Sequence, residues 1–363
     1  MIKIDLNTLS MWSHEYLKST AFSVKDDTQY ALQATRDTEV ARHLFGIHRV
    51  ILEMVNLINP PFTLQVLKNG EEEAHMDSVG ELVFGLLNYL DREQFSESFP
   101  LHEFNPVYVR LFEMIDERRL IDKIRSLKWP LDTESKHSLI AELNSFVYDY
   151  REAYRSEAFG VRVNAYLARS IEMELGLLSL IDHAFSCTSQ VMAIRIDLGY
   201  SPPDTLPDGQ RLVNLNEAIA HRDVLLKALR NVFEESIISC AWKLEHCREK
   251  GYGHHVLFLL DGCKVSDDVA TGTAIGDAWD VAVTKGAGTH LCHNAYKRTS
   301  NAHFLGVISR RHTKVIRSFK EQVVISIARS DYFMQLNSGM ADQAFGVVRY
   351  EPVDKGCSGG LTA

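Results

Sequence analysis

The chain has 363 residues, of which 45% are hydrophobic and 24% charged, and it carries a net charge of −9. The length suggests two domains, and the composition is that of a globular protein with ample material for a core. No apolar run approaches the length needed to cross a bilayer, which excludes a membrane-spanning role.

The opening MIKIDLNTLSMW lacks the basic-then-apolar order of an export signal, and the six cysteines (Cys187, Cys240, Cys247, Cys263, Cys292, Cys357) show no CxxC pair. Both features predict a cytoplasmic protein with reduced thiols. Charge divides unevenly: residues 1–185 hold 19 Lys/Arg against 29 Asp/Glu, a balance of −10, and residues 186–363 hold 20 against 19, a balance of +1. Val281–Lys320 holds eight Lys/Arg and no acid, so a polyanionic partner is expected there.

In chain order, Val40–Ile58 repeats apolar residues at three-and-four spacing and is closed by Pro60-Pro61, which predicts an amphipathic helix. Similar patterns predict helices at Ser78–Leu90, Tyr108–Leu127, Ser138–Ala158 and Val163–Phe185. The first half therefore reads as an acidic, mostly helical domain over residues 1–186. It shows no catalytic spacing, and its helices suit packing or a protein partner.

The texture changes at Cys187. Gln190–Leu198 has the β-branched and apolar content of a strand. Asn214–Glu235 reads as a helix. Ile237–His246 and His254–Leu260 read as the arms of a hairpin turning at Gly251–Gly253. Val265–Val283 is expected to be helical, His303–Ser309 a short strand, and Thr313–Leu336 a long helix. The order β-α-β-β-α-β-α predicts an α+β domain over residues 187–350, an antiparallel sheet with helices on one face, and then a flexible tail over 351–363.

Within the hairpin, alternation puts His255, Leu257 and Leu259 on one face and His254, Val256 and Phe258 on the other. A histidine on one strand beside Glu245 on its partner is one way to hold a divalent metal. Arg195 and Asp197 alternate with apolar residues on the first strand, as a structural ion pair or as lining for a DNA face. Glu245 has a second reading, an ion pair with Lys243 or Arg248. The run His290-Leu291-Cys292-His293 matches no common zinc spacing and reads as loop.

The runs IRIDLGY (Ile194–Tyr200), WKLE and KGYGHHVLFLLDG (within Trp242–Gly262), IGDAW (Ile275–Trp279), TKGAGT (Thr284–Thr289), FLGVI (Phe304–Ile308) and AFG (Ala344–Gly346) resemble, in order and spacing, the YagK/YfjJ C-terminal domain family, also described as inovirus replication-protein-like. The resemblance covers roughly Ser189–Arg349. It implies a fold like that of rolling-circle replication initiators of the His-hydrophobic-His class, in a phage or other mobile element. In that class a tyrosine hydroxyl attacks a DNA phosphodiester while a divalent ion, Mg²⁺ or Mn²⁺, held by histidines offsets the developing charge.

Residue by residue, the second histidine of that pattern matches His255 and the first falls on Gly253. His254 lies one position off and points the wrong way unless a bulge turns it inward. The tyrosine position falls on Ile325 in an ungapped alignment. Tyr332 takes the role only after a shift of seven residues, with Gln335 where a lysine is expected. The candidate metal ligands are therefore His255, His254 and Glu245, and the candidate nucleophile is Tyr332. Arg195, Lys285, Lys297, Arg298, Arg310, Arg311, Lys314 and Arg317 are the candidate DNA contacts, for a single strand or an origin hairpin. The expected function is DNA binding by an initiator relative whose nicking centre has eroded. The alternative is an active metal-dependent nicking endonuclease.

Overall fold

Helices begin where the chain supplies a side-chain acceptor for the unpaired N–H groups of a first turn. Asp77 accepts from Val79 and Gly80 at the start of helix Ser78–Tyr89, and Asn105 accepts from Val107 ahead of Pro106 at the start of Pro106–Glu117. Asp132 accepts from Ser135 at the start of Thr133–Arg155. In the computed structural model, which describes residues 10–13, 17, 22–25, 30–201, 212–297 and 304–350, the chain forms two compact units. The first contains Arg36–Ser170 and Ser330–Gln335; the second contains Phe22–Lys25, Tyr30–Gln33, Ile171–Arg329 and Leu336–Tyr350. The division falls inside the helix Glu157–Cys187 rather than at residue 187. The expected tail, 351–363, and Arg298 lie outside the described residues.

The first unit is mainly helical, as its three-and-four spacing predicts. Leu44, Ile51 and Met54 of helix Arg36–Asn56 are buried, with Val83, Leu87, Leu111, Phe146 and Tyr150 from later helices. The helix expected over Tyr108–Leu127 is two, Pro106–Glu117 and Leu120–Arg125, because Arg119 takes a left-handed backbone (φ 53°). In chain order the strands up to the second unit's sheet are β1 (Phe22–Lys25), β2 (Tyr30–Gln33), β3 (Phe62–Val66), β4 (Glu72–Met76) and β5 (His102–Phe104). β1 pairs β2, and β3 pairs β4.

The second unit is built on β6 (Gln190–Tyr200), β7 (Ile237–Cys247), β8 (Gly251–Asp261), β9 (Gly288–Cys292) and β10 (Gly306–Ser309), completed by β12 (Phe345–Arg349) after β11 (Met334–Leu336), which pairs β5. Their spatial order is β10-β6-β8-β7-β12, with β9 also on β6, and every pairing is antiparallel. This confirms the α+β class, and the core β10-β6-β8-β7 has the order of a split β-α-β unit. The hairpin turn is Arg248–Lys250; Gly251 (φ 70°) already opens β8, so the Gly-Tyr-Gly expected to turn is strand.

The helices cover both faces of this sheet, not one. Val191, Ala193, Ala241, Leu257 and Leu259 pack against Leu177, Ile181, Phe185, Phe319 and Val323, from helices Glu157–Cys187 and Thr313–Ile327. Met192, Ile194, Val256, Phe258 and Leu260 pack against Leu225, Leu229, Ile275 and Trp279, from Leu215–Phe233 and the Asp268–Val283 segment. The near-continuous apolar runs of β6 and β8 reflect burial on both sides. Each large side chain so buried is worth roughly 1.5–3 kcal/mol.

β6 has a divided edge. β10 pairs Gln190–Ala193 and β9 pairs Ile196–Tyr200. Asn294 bridges the gap: its Oδ1 accepts from the Arg195 N–H (3.1 Å) and its Nδ2 donates to the Ala193 carbonyl (2.9 Å) and to Asp268 Oδ2 (2.7 Å). A side-chain amide thus takes the place of the missing strand backbone.

Candidate functional site

β8 carries His255 on the face packed by helices Glu157–Cys187 and Thr313–Ile327. Its row neighbours are Asp197 on β6 and Lys243 on β7, and Glu245 lies opposite Gly253 one pleat further on. The four side chains form one hydrogen-bonded chain. Lys243 Nζ donates to Glu245 Oε1 (2.8 Å), His255 Nε2 reaches Glu245 Oε2 (2.8 Å), and His255 Nδ1 reaches Asp197 Oδ1 (2.6 Å). The chain continues from Asp197 Oδ2 to His293 Nε2 at 2.8 Å. His293 stands beside Asp197 because the neighbouring Asn294 is fastened to the edge of β6.

Both nitrogens of His255 face carboxylate oxygens, so both donate and the ring is an imidazolium. Burial alone would lower its pKa, but Asp197 and then Glu245 outweigh burial and raise it to about 9. Burial likewise opposes ionisation of the two acids. For Asp197 the charge of His255 and the hydrogen bonds from both histidines prevail, for Glu245 the charges of His255 and Lys243, and both sit well below the usual carboxylate range. Burial lowers the pKa of His293 against the pull of Asp197, so it donates as a neutral ring. The formal charges along the chain alternate and cancel among Lys243, Glu245, His255 and Asp197. Arg195, two residues before Asp197 on the same face, is buried in the sheet.

A histidine ligates a metal through a lone pair, so a metal at His255 would have to displace a ring proton and part a bond to Asp197 or Glu245. His254 projects to the opposite face, where it is 1% exposed, and there its Nε2 donates to the Ala218 carbonyl (3.0 Å). Burial lowers its pKa to about 3. There is no bulge at this point of β8 to turn it round: the pairing with β6 runs in register through Asp197↔His255 and Leu198↔His254. His255, His254 and Glu245 therefore do not converge on a common ligand position, and the set does not fit the expected Mg²⁺ or Mn²⁺.

Tyr332 lies elsewhere. The helix expected to run to Leu336 ends at Ile327, and a short 3-10 turn, Arg329–Tyr332, leads the chain into the first unit. Tyr332 is 5% exposed there, edge-on to Trp12, His48 and Phe333, with its hydroxyl 3.5 Å from His48 Nε2. Asn105 Nδ2 holds its carbonyl (2.8 Å), and burial pushes the phenol pKa up. Ile325, the ungapped tyrosine position, is a buried residue of helix Thr313–Ile327.

The basic candidates divide clearly. Lys297 is bound to both carboxylate oxygens of Asp268 (2.9 and 2.8 Å). Lys285 is exposed in a turn with a left-handed backbone (φ 56°). Arg310, Arg311, Lys314 and Arg317 are all exposed and none forms an ion pair among the described residues. Arg310 and Arg311 follow β10, and Lys314 and Arg317 share a face of the first turns of helix Thr313–Ile327. That helix has no acid in its first turn, and its cap residue, His312, makes no side-chain bond to it. Four unpaired cations thus surround the positive end of a helix dipole, a favourable setting for phosphate.

Asp197 and His293 emerge as members of the ion chain only in the structure. Once β6 and β8 are aligned, alternation places Asp197 beside His255; nothing local in the sequence places His293 there. Comparison with known proteins returns no match: no family model, no curated protein and no solved structure is significantly similar to the chain. No described helix is long and apolar enough to cross a membrane.

Proposed function

We propose that the second unit is a metal-independent DNA-binding module, related to rolling-circle replication initiators of mobile elements, whose nicking centre no longer operates. The observation that carries the binding half is the group Arg310, Arg311, Lys314 and Arg317, exposed at an open helix start and without a carboxylate partner among the described residues. Such a group contacts backbone phosphates, giving affinity that is salt-sensitive and indifferent to sequence. The loss of nicking is supported by the imidazolium of His255, closed between two carboxylates, and by the interior position of Tyr332. The acidic helical unit is available for a protein partner.

The test is fluorescence anisotropy with a labelled single strand and a labelled hairpin over a salt series. Four phosphate contacts give a slope of log K against log salt of about −3 on a single strand. Chelation with EDTA is expected to leave binding unchanged. Failure to retain either DNA at low salt would end the binding reading. A covalent protein–DNA adduct formed with Mn²⁺ and lost in Tyr332→Phe would replace it with the active nickase.

A further inference from the structure

The two sides of the second unit's sheet end differently. On one side β9 lies against the Asp268–Val283 segment, and β10 is four residues long and runs directly into Arg310 and Arg311. A covering helix, short length and charge are ordinary means of keeping an edge from pairing with another chain. On the other side β12 is less guarded. It pairs β7 along its whole length without a bulge, it holds no proline, and no described strand lies beyond it. Its one charged side chain is turned onto the flanking helix, where Arg349 donates to Ser179 Oγ (2.7 Å). Val347, at its centre, is 39% exposed.

The direction of its backbone groups follows from one hydrogen bond. The Tyr350 N–H donates to the carbonyl of Ile238, in β7 (2.9 Å). N–H groups alternate in direction along a strand, so those of Val348 and Gly346 also point to β7, and the N–H and C=O groups of Phe345, Val347 and Arg349 point outward. We propose that this edge joins two copies of the chain, β12 pairing antiparallel with β12 of the second copy about a two-fold axis at Val347. In that register Val347 faces Val347 and Phe345 faces Arg349. All the outward groups then find partners, in about six inter-chain hydrogen bonds.

The flanking helix fits the same axis. Gly176 of helix Glu157–Cys187 lies against β12: an added Cβ there would stand 3.4 Å from Phe345 and 4.0 Å from Val347. Ser179 meets Arg349, so helix and strand run in the same direction. Glu172 is one helical turn, about 6 Å, before Gly176. Two strand residues rise about 6.8 Å, which sets Glu172 near the level of Phe345. Glu172 is exposed and forms no ion pair among the described residues. The two-fold axis brings Arg349 of the second copy to Phe345, and so a cation to each Glu172. This complementarity of backbone and charge makes a second copy, rather than a foreign strand, the occupant of the edge.

The experiment is sedimentation equilibrium of the full-length chain over about 1–200 μM. An interface of this size belongs to the weak class, and a dissociation constant on the order of 10 μM is expected. Val347→Pro removes an outward N–H and no bond to β7. It is expected to weaken the dimer at least about tenfold, two inter-chain hydrogen bonds being lost. Glu172→Arg and Arg349→Glu are each expected to weaken it, and the two together to restore it. A wild-type chain still single at about 200 μM overturns the proposal and leaves the edge to a strand of another protein. Dimerisation unaffected by Val347→Pro overturns it as well, since the contact then lies elsewhere. If Val347→Pro fails to fold, the charge pair decides: a double variant no better than either single one overturns the interface. The readout is mass alone, so failure here leaves the DNA reading untouched.

Discussion

His255 should still be protonated well above neutral pH. Its ordinary pKa of about 6.5 is raised in the folded chain to about 9 by Asp197 and Glu245, working against burial. That difference corresponds to about 3 kcal/mol of stability. Because the folded value lies above the unfolded one, the contribution is complete below about pH 6.5 and is lost as pH rises through about 9. The two carboxylates act in the opposite sense: their lowered values add stability that is lost on acidification. The ion chain is therefore most stabilising between these limits. Histidine-labelled NMR reads the ring directly. Of the 15 histidines, one should titrate near pH 9 and vanish in His255→Gln, and urea unfolding should show the matching loss of stability between pH 7 and about 9.5. If every histidine titrates below about pH 7, the doubly clamped imidazolium is wrong, and with it the main argument that this face binds no metal.

Three further outcomes follow from the same coordinates. Asn294→Ala removes the amide that serves Ala193, Arg195 and Asp268, and should cost about 3 kcal/mol or more in urea unfolding. Gly346→Ala forces a Cβ to within 2.1 Å of the Trp242 ring; a loss of about 1–3 kcal/mol is expected by calorimetry, since β12 must shift along β7. Replacing Arg311 or Lys314 singly by Gln should weaken DNA binding by a similar factor on every sequence and reduce the salt slope by about 0.7 each, as measured by anisotropy; an unchanged slope would place the phosphate contacts elsewhere.

Much of this protein was legible in the chain alone. Apolar spacing of about 3.6 residues located the helices Arg36–Asn56, Ser78–Tyr89 and Leu215–Phe233 to within a few residues, since that period follows from helix geometry itself. Strand alternation placed His254 and His255 on opposite faces, because a pleat gives neighbouring residues no other choice. The gap in the acidic pattern over Val281–Lys320 contains the exposed cations, as charge composition requires.

Tertiary structure decided the rest. The sequence around His290 predicts loop where β9 stands, because the strand character of β9 depends on pairing with β6, far away in sequence. The apolar period that suggested one helix from Thr313 to Leu336 continues through Tyr332, but Ser330–Gln335 belongs with a different unit, where the strand Met334–Leu336 finds its partner in β5. His290 and His293, three residues apart, serve opposite faces of the sheet, one with Asp280 and the other with Asp197. A local pattern records which face a side chain takes along its own element. What that side chain then meets is set by chain segments brought beside it from elsewhere, and for His255 these bring Asp197 and Glu245 to its two ring nitrogens.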